Sequence, residues 1–227
     1  MSLDLYAKIE PYIGFYEHYE RLYGFYIKIL KDYEIKSVLD VGCGNGRMLQ
    51  RLSTLGYEAR GIDLSSKMVE KAKSKGVDAS CQNISDVKEK YDAIVAVADV
   101  LNYMDEKSLK RFLSYIKNAL KKDGVFICDI NSEHGFCDVA DGAMIKEDSD
   151  IFLSIDAFFD GEVLDTDITL FEKEGDLYRK SKGNILQYYH KEDDIEKYVP
   201  MKLEKKDKIS LFSDDPDKII YTFVNDV

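Results

Sequence analysis

The sequence predicts an α/β protein. Its core is an open, mostly parallel sheet of seven strands with helices on both faces, and an antiparallel β-meander interrupts it late in the chain. Three observations carry this. Val38, Leu39 and Val41 form a short apolar run that ends in the turn Gly42-Cys43-Gly44-Asn45-Gly46, and a helical pattern starts at Arg47. Buried parallel strands read as such runs, bounded by turn residues. Strand-like and helix-like segments then alternate as far as Ile130, as they do where helices cross between parallel strands. Between residues 151 and 190 the pattern changes to three strand-like runs with no helix among them.

The chain opens with an aromatic stretch, residues 3–34, that includes Tyr6, Tyr12, Phe15, Tyr16, Tyr19, Tyr23 and Tyr26. Spacings of three and four predict one or two helices, and Pro11 marks a start or a break. This segment either packs against the sheet edge or caps a site. The helix from Arg47 to Leu55 stops at Gly56. Tyr57 to Ile62 is the second strand, and Asp63 lies at its end. Ser66 to Lys75 is helical, with Met68, Val69 and Ala72 inward, and Gly76 ends it. Val77 to Cys81 and Tyr91 to Val97 are the third and fourth strands. Leu109, Phe112, Leu113, Ile116 and Leu120 line one face of a helix from Lys107 to Lys121. A turn at Asp123-Gly124 leads into the fifth strand, Val125 to Ile130. Gly161 and Gly175 sit at the turns of the meander. Glu192 to Val199 is a short helix stopped by Pro200, and Leu203 to Phe212 and Ile219 to Val224 close the chain as two strands.

The glycine turn places a ligand at the carboxyl end of the first strand, where open α/β sheets bind. The dinucleotide fingerprint is G-x-G-x-x-G, but this turn is G-x-G-x-G, and Asp40 precedes it by two residues. A ligand with an amino group has use for that carboxylate. Asp63 stands one helix and one strand beyond the turn, the spacing that puts a carboxylate on a ribose. The alternative is that it only caps the helix beginning at Ser65 or Ser66.

Val38–Arg47, V-L-D-V-G-C-G-N-G-R, resembles the first motif of the class I S-adenosylmethionine-dependent methyltransferases almost residue for residue. Tyr91-Asp92-Ala93-Ile94-Val95 and Leu120–Phe126 are similar to later segments of that family. The resemblance is tight from Val38 to Asp63 and loose after Asn131. It implies a Rossmann-like core at 35–131 and 191–227, an N-terminal helical cap at 1–34 and an inserted β lid at 132–190. It implies S-adenosyl-L-methionine as cofactor, held by Tyr6, Asp40, Gly42, Cys43, Gly44, Asp63, Leu64, Asn83, Ile84, Ala98 and Asp99. In the family an Asp usually stands where Asn83 does, a Tyr-Asp pair where Glu10-Pro11 does, and a Glu and a His where Gly183 and Asn184 do. The activity implied is methyl transfer to a small molecule by direct in-line displacement. A protein or tRNA acceptor, and a binding module without catalysis, remain alternatives.

Composition narrows the partners. The 227 residues are 45% hydrophobic and carry a net charge of −11, which suits a large core and argues against free-standing binding to duplex DNA. No basic-then-apolar leader and no membrane-length apolar run is visible, so a cytoplasmic protein, monomer or homodimer, is expected. Cys43, Cys81, Cys128 and Cys137 have no C-x-x-C spacing, and three of them lie in or beside strand-like runs as expected buried thiols. His18, His134 and His190 have no metal-ligand spacing, so no metal is expected. A catalytic residue cannot be named from the sequence. The candidates are His134 and Asn131 beyond the fifth strand, and Tyr103 beyond the fourth, where it is either core or substrate-facing.

Overall fold

The structure, a computed structural model, describes residues 3–226. Helices α1 (Leu3–Ile13) and α2 (Tyr16–Leu30) precede β1 (Ser37–Val41), α3 (Arg47–Thr54), β2 (Glu58–Asp63), α4 (Ser66–Ser74) and β3 (Ala79–Cys81). Then come β4 (Tyr91–Ala96), α5 (Glu106–Ala119) and β5 (Leu120–Asn131). The insert holds β6 (Gly142–Glu147), β7 (Ile151–Phe159), β8 (Val163–Glu174) and β9 (Leu177–Tyr188). Helix α6 (Glu192–Tyr198) returns the chain to β10 (Lys202–Ile209) and β11 (Lys218–Val224).

The first sheet has seven strands in the order β10-β11-β5-β4-β1-β2-β3, and β11 runs antiparallel to both neighbours. The order reverses between β1 and β4, so a crevice opens at their carboxyl ends. Leu109, Phe112, Leu113 and Ile116 of α5 cover one face. Leu22, Tyr26, Ile29 and Leu30 of α2, with Met48 and Leu52 of α3, cover the other. Each buried apolar side chain of this kind contributes roughly 1.5–3 kcal/mol.

Three details depart from the expected pattern. The insert is a four-stranded antiparallel sheet, because β6 pairs along β7 as an exposed edge that shows little apolar alternation. Asp123-Gly124 is an irregularity within β5 and not a turn before it: the pairing with β4 jumps there, and Asp123 has φ 59°. Cys81 is exposed at the sheet edge, whereas Cys43 and Cys128 are buried. Among the described residues no helix is long and apolar enough to cross a membrane.

Candidate active site

A cavity of about 600 Å³ lies in the crevice. Its floor is the glycine turn, and the glycines do different work. Gly42, Gly44 and Gly46 all have positive φ, at 73°, 52° and 77°. A Cβ on Gly42 would meet Val100 at 2.8 Å, and one on Gly46 would meet Ala72 at 2.8 Å. A Cβ on Gly44 would meet nothing within 4 Å. Gly42 and Gly46 are therefore bare for packing, and Gly44 presents bare backbone to the cavity.

Asp40 and Asp63 face each other across this turn from the ends of β1 and β2. Asp40 is 1% exposed, and its Oδ2 has no hydrogen-bond partner among the described residues. Burial, and then the nearby Asp63 charge, push its carboxyl up to about 7. Asp63 accepts N–H bonds from Gly44 (2.9 Å) and Ser65 (2.7 Å). Its acidity is nevertheless weakened by burial. Ser65 itself caps α4 through Met68 N–H, so Asp63 organises the approach to the helix and does not cap it directly. Asn83 Oδ1 accepts the Ser85 N–H at 3.0 Å and fixes the turn after β3 beside Ile84.

The end of β4 is strained. Ala98 and Asp99 both take left-handed backbone, with φ 66° and 56°. One carboxylate holds them there: Asp129 accepts the Ala98 N–H (2.8 Å) and the Asp99 N–H (2.9 Å). Tyr26 Oη lies 2.6 Å from the same group. Lys218, 1% exposed, donates to Asp99 (2.7 Å), Asp129 (3.1 Å) and Asn131 (2.8 Å). Burial alone would lower the lysine's pKa, but the two carboxylates outweigh it and the ammonium stays above its ordinary range. Gln187 of β9 donates to the other oxygen of Asp99 at 2.8 Å, and Asn102 donates to the Tyr188 carbonyl at 2.8 Å. These two bonds stitch the insert to the crevice.

Helix α1 covers the cavity. Its Glu10 accepts from Asn45 at 2.7 Å, and its Asp4 accepts from the Ser65 hydroxyl at 2.7 Å. Pro11 has no N–H to offer the Ala7 carbonyl, and Lys71 of α4 takes that carbonyl instead. The opposite face of α1 buries Ile9 among Ile151, Leu153, Ile168, Leu170 and Ile185 of the insert. Tyr6, Tyr16, Tyr19, Tyr23 and Tyr103 wall the cavity. Burial, with Asp99 and Glu10 nearby, pushes Tyr6 up to about 12, and burial also raises Tyr19, Tyr23 and Tyr103. All are neutral near pH 7.

The eleven residues expected to hold a cofactor all border this one cavity, as does Tyr103. Asn131 and His134 do not. Asn131 is spent on Lys218, and His134 lies between Asp138 and Ser213 at 2.9 Å from each. Asn184 sits with Asp165 and Asp167 at the insert's β8–β9 pairing and does not border the cavity. The sequence gives no site role to Lys218 or Gln187, and Tyr26 reads only as part of the aromatic stretch. A lone lysine opening the otherwise apolar run Ile219–Val224 is the one available hint of a buried charge.

The described methyltransferase-domain family model matches residues 38–124, the glycine turn through the start of β5. An S-adenosylmethionine-dependent methyltransferase from Clostridium acetobutylicum ATCC 824 superposes with a TM-score of 0.77 at 26% identity, over 91% of each chain. Residues 38–124 thus resemble a methyltransferase domain, and the chain shares its fold with S-adenosylmethionine-dependent methyltransferases. A methyltransferase-like protein of Geobacillus sp. (strain WCH70) is 31% identical over 128 residues, which are 51% of this chain and 52% of that one. The chain spans half to three fifths of the length of the curated relatives it matches. The sugar N-methyltransferase KedS8 from Streptoalloteichus sp ATCC 53650 shares the fold at 17% identity, with a TM-score of 0.74 over 97% of this chain and 92% of that one.

Proposed function

We propose that this chain transfers the methyl group of S-adenosylmethionine to a small-molecule acceptor by direct in-line displacement. The observation that carries the reading is the convergence on one cavity of bare backbone, a second carboxylate and a buried carboxylate whose Oδ2 has no partner among the described residues. These residues fit the cofactor. Asp40 has an oxygen in want of a cation, and Gly44 leaves room for a ligand against the main chain. Asp63 would hold the ribose hydroxyls, Asn83 and the Ile84 N–H the adenine, and Ala98, Asp99 and Tyr6 the sulfonium side. S-Adenosylmethionine, when bound, supplies a methyl group made electrophilic by its sulfonium.

The protein's own part is to position and to exclude water. Holding a nucleophile in line can contribute roughly 7–11 kcal/mol. The strained Ala98-Asp99 turn, clamped by Asp129 and Lys218, gives a rigid wall for that purpose. The neutral tyrosines offer aromatic faces to positive charge and hydroxyls to the acceptor. A small acceptor is supported by the cover over the crevice: α1 lines the cavity through Tyr6 and Glu10, and the insert backs α1. Similarity of fold to a sugar N-methyltransferase is consistent with an amine acceptor.

Calorimetry with S-adenosylmethionine and with NAD tests the cofactor. Binding of the first and not the second is expected. Asp63→Ala should weaken it by roughly tenfold to a hundredfold, the worth of charge-assisted bonds; unchanged affinity would remove the ribose assignment. Formation of S-adenosylhomocysteine across amines, phenols and carboxylic acids tests the acceptor. Tight cofactor binding without turnover on that panel would count against a small-molecule acceptor.

A further inference from the structure

The cavity wall takes one of its supports from the insert, through a side chain that does not border the cavity. Side chains alternate along β9, so Ile185 and Gln187 share a face. Ile185 packs among the apolar residues that hold Ile9 of α1. Gln187, two positions on, meets Asp99 instead. Its backbone is paired with Leu164 of β8, so the insert fixes where the amide starts from. Ala98, Asp99 and Val100 border the cavity, and Gln187 and Asn102 do not.

The Asp99 carboxylate is divided between two parts of the molecule. One oxygen accepts from Lys218 of the main sheet at 2.7 Å, and the other accepts from Gln187 at 2.8 Å. An ammonium with rotatable donors attracts a carboxylate from many angles, whereas a planar amide fixes the direction of its bond. Lys218 therefore supplies charge, and Gln187 sets orientation. What is oriented is strained backbone: Ala98 and Asp99 are consecutive non-glycine residues at φ 66° and 56°. The next side chain, Val100, lies so close to the glycine turn that a Cβ on Gly42 would meet it at 2.8 Å. A second bond, from Asn102 to the Tyr188 carbonyl at 2.8 Å, ties the same segment to the same end of β9. Contact thus runs unbroken from β9 through Asp99 and Val100 to the cavity floor.

We propose that Gln187 is a positioning residue, by which the insert holds Asp99, and with it the turn from Ala98 to Val100, in the shape that the ligand cavity needs. The cavity is complete only while β9 is docked. The ligand arm of the test rests on the cavity being the S-adenosylmethionine site, and the hydrogen-exchange arm does not.

Wild type, Gln187→Leu and Gln187→Glu are compared by calorimetry with S-adenosylhomocysteine, by amide hydrogen exchange without ligand and by thermal melting. Gln187→Leu should bind roughly twofold to thirtyfold more weakly, the range of substitutions that act on coupling between elements. Exchange at the Ala98 and Asp99 N–H groups should quicken. Gln187→Glu adds a pH signature, because the introduced carboxyl repels Asp99 when ionised and can donate to it when protonated. Its affinity relative to wild type should be lowest at about pH 8 and recover towards about pH 5. The other ionisable groups around Asp99 are Lys218 of β11, Asp129 of β5, Tyr6 of α1, Tyr19 of α2 and Tyr103. These, and Asp40, are common to both proteins, so the ratio isolates position 187. A ratio that is flat with pH, or unchanged exchange at Ala98 and Asp99 in Gln187→Leu, would overturn the proposal. So would a lower melting temperature with unchanged affinity, because Gln187 would then only stabilise the insert. Wild type that fails to bind S-adenosylhomocysteine would overturn the cofactor reading, and exchange at Ala98 and Asp99 would still decide the role of Gln187.

Discussion

Asp40 keeps a carboxylate oxygen out of reach of every donor in the described chain, and that has a price in the ligand-free protein. Its folded pKa of about 7 lies above the ordinary value of 3.8. A raised pKa means that the folded state binds the proton more tightly. The stabilising contribution is full below about pH 4 and is lost as pH rises through about 7. Asp40→Asn should therefore melt higher than wild type at pH 8, and the gap should shrink by pH 5 in thermal denaturation. The affinity of wild type for S-adenosylhomocysteine should fall below about pH 7, and that of Asp40→Asn should not follow it. Lys218 presents the converse case. Lys218→Met leaves Asp99 and Asp129 buried against each other and should cost about 3–5 kcal/mol in urea unfolding. That Asp40 and Asp63 border the cavity was legible in the sequence, because one precedes the glycine turn by two residues and the other lies one helix and one strand beyond it. Lys218 and Tyr26 were not, because their partners lie 119 and 103 positions away and only the folded sheet brings them together.

At the scale of the element, the glycine turn separates stability from binding. Gly46→Ala puts a Cβ 2.8 Å from Ala72 in backbone that L residues avoid, so it should lower the melting temperature strongly. Gly44→Ala has open space and carries only the left-handed backbone strain of φ 52°, about 1–2 kcal/mol, so it should melt lower than wild type but above Gly46→Ala, and bind cofactor much more weakly. Calorimetry beside a melting curve reads both. The tie between α1 and α4 is a second case. Lys71→Met strands the carbonyl that Pro11 cannot satisfy, at a cost of about 1–3 kcal/mol, and hydrogen exchange in α1 should quicken. Strongly amphipathic elements such as α5 were read from the sequence nearly end to end. Strand β6 escaped, because an exposed edge strand has no buried face to impose alternation. Pro11 drew attention as a helix breaker, but it lies inside the last turns of α1, and the break comes at Gly14, where φ is 80°.

At the scale of the molecule, the two sheets meet through α1 and the end of β4. Gln187 and Tyr188 of β9 reach Asp99 and Asn102, and Ile9 of α1 fills the apolar face of the insert. Ile9→Ala should cost about 2–5 kcal/mol. It should also weaken S-adenosylhomocysteine binding, although Ile9 borders no part of the cavity; an unchanged affinity would show that the insert and the crevice act independently. The parallel sheet was legible because each strand carries its own apolar signal. The docking of the insert on α1 was not, because Ile9 looks like any other apolar residue of an aromatic-rich stretch.

Helix α1 thus answers to two masters. A ligand bound in the crevice is expected to leave faster once Ile9 loses its grip on an apolar surface some 140 residues further along the chain. Under the proposed function, changes to that surface are expected to alter the residence time of S-adenosylhomocysteine while the cavity wall stays the same.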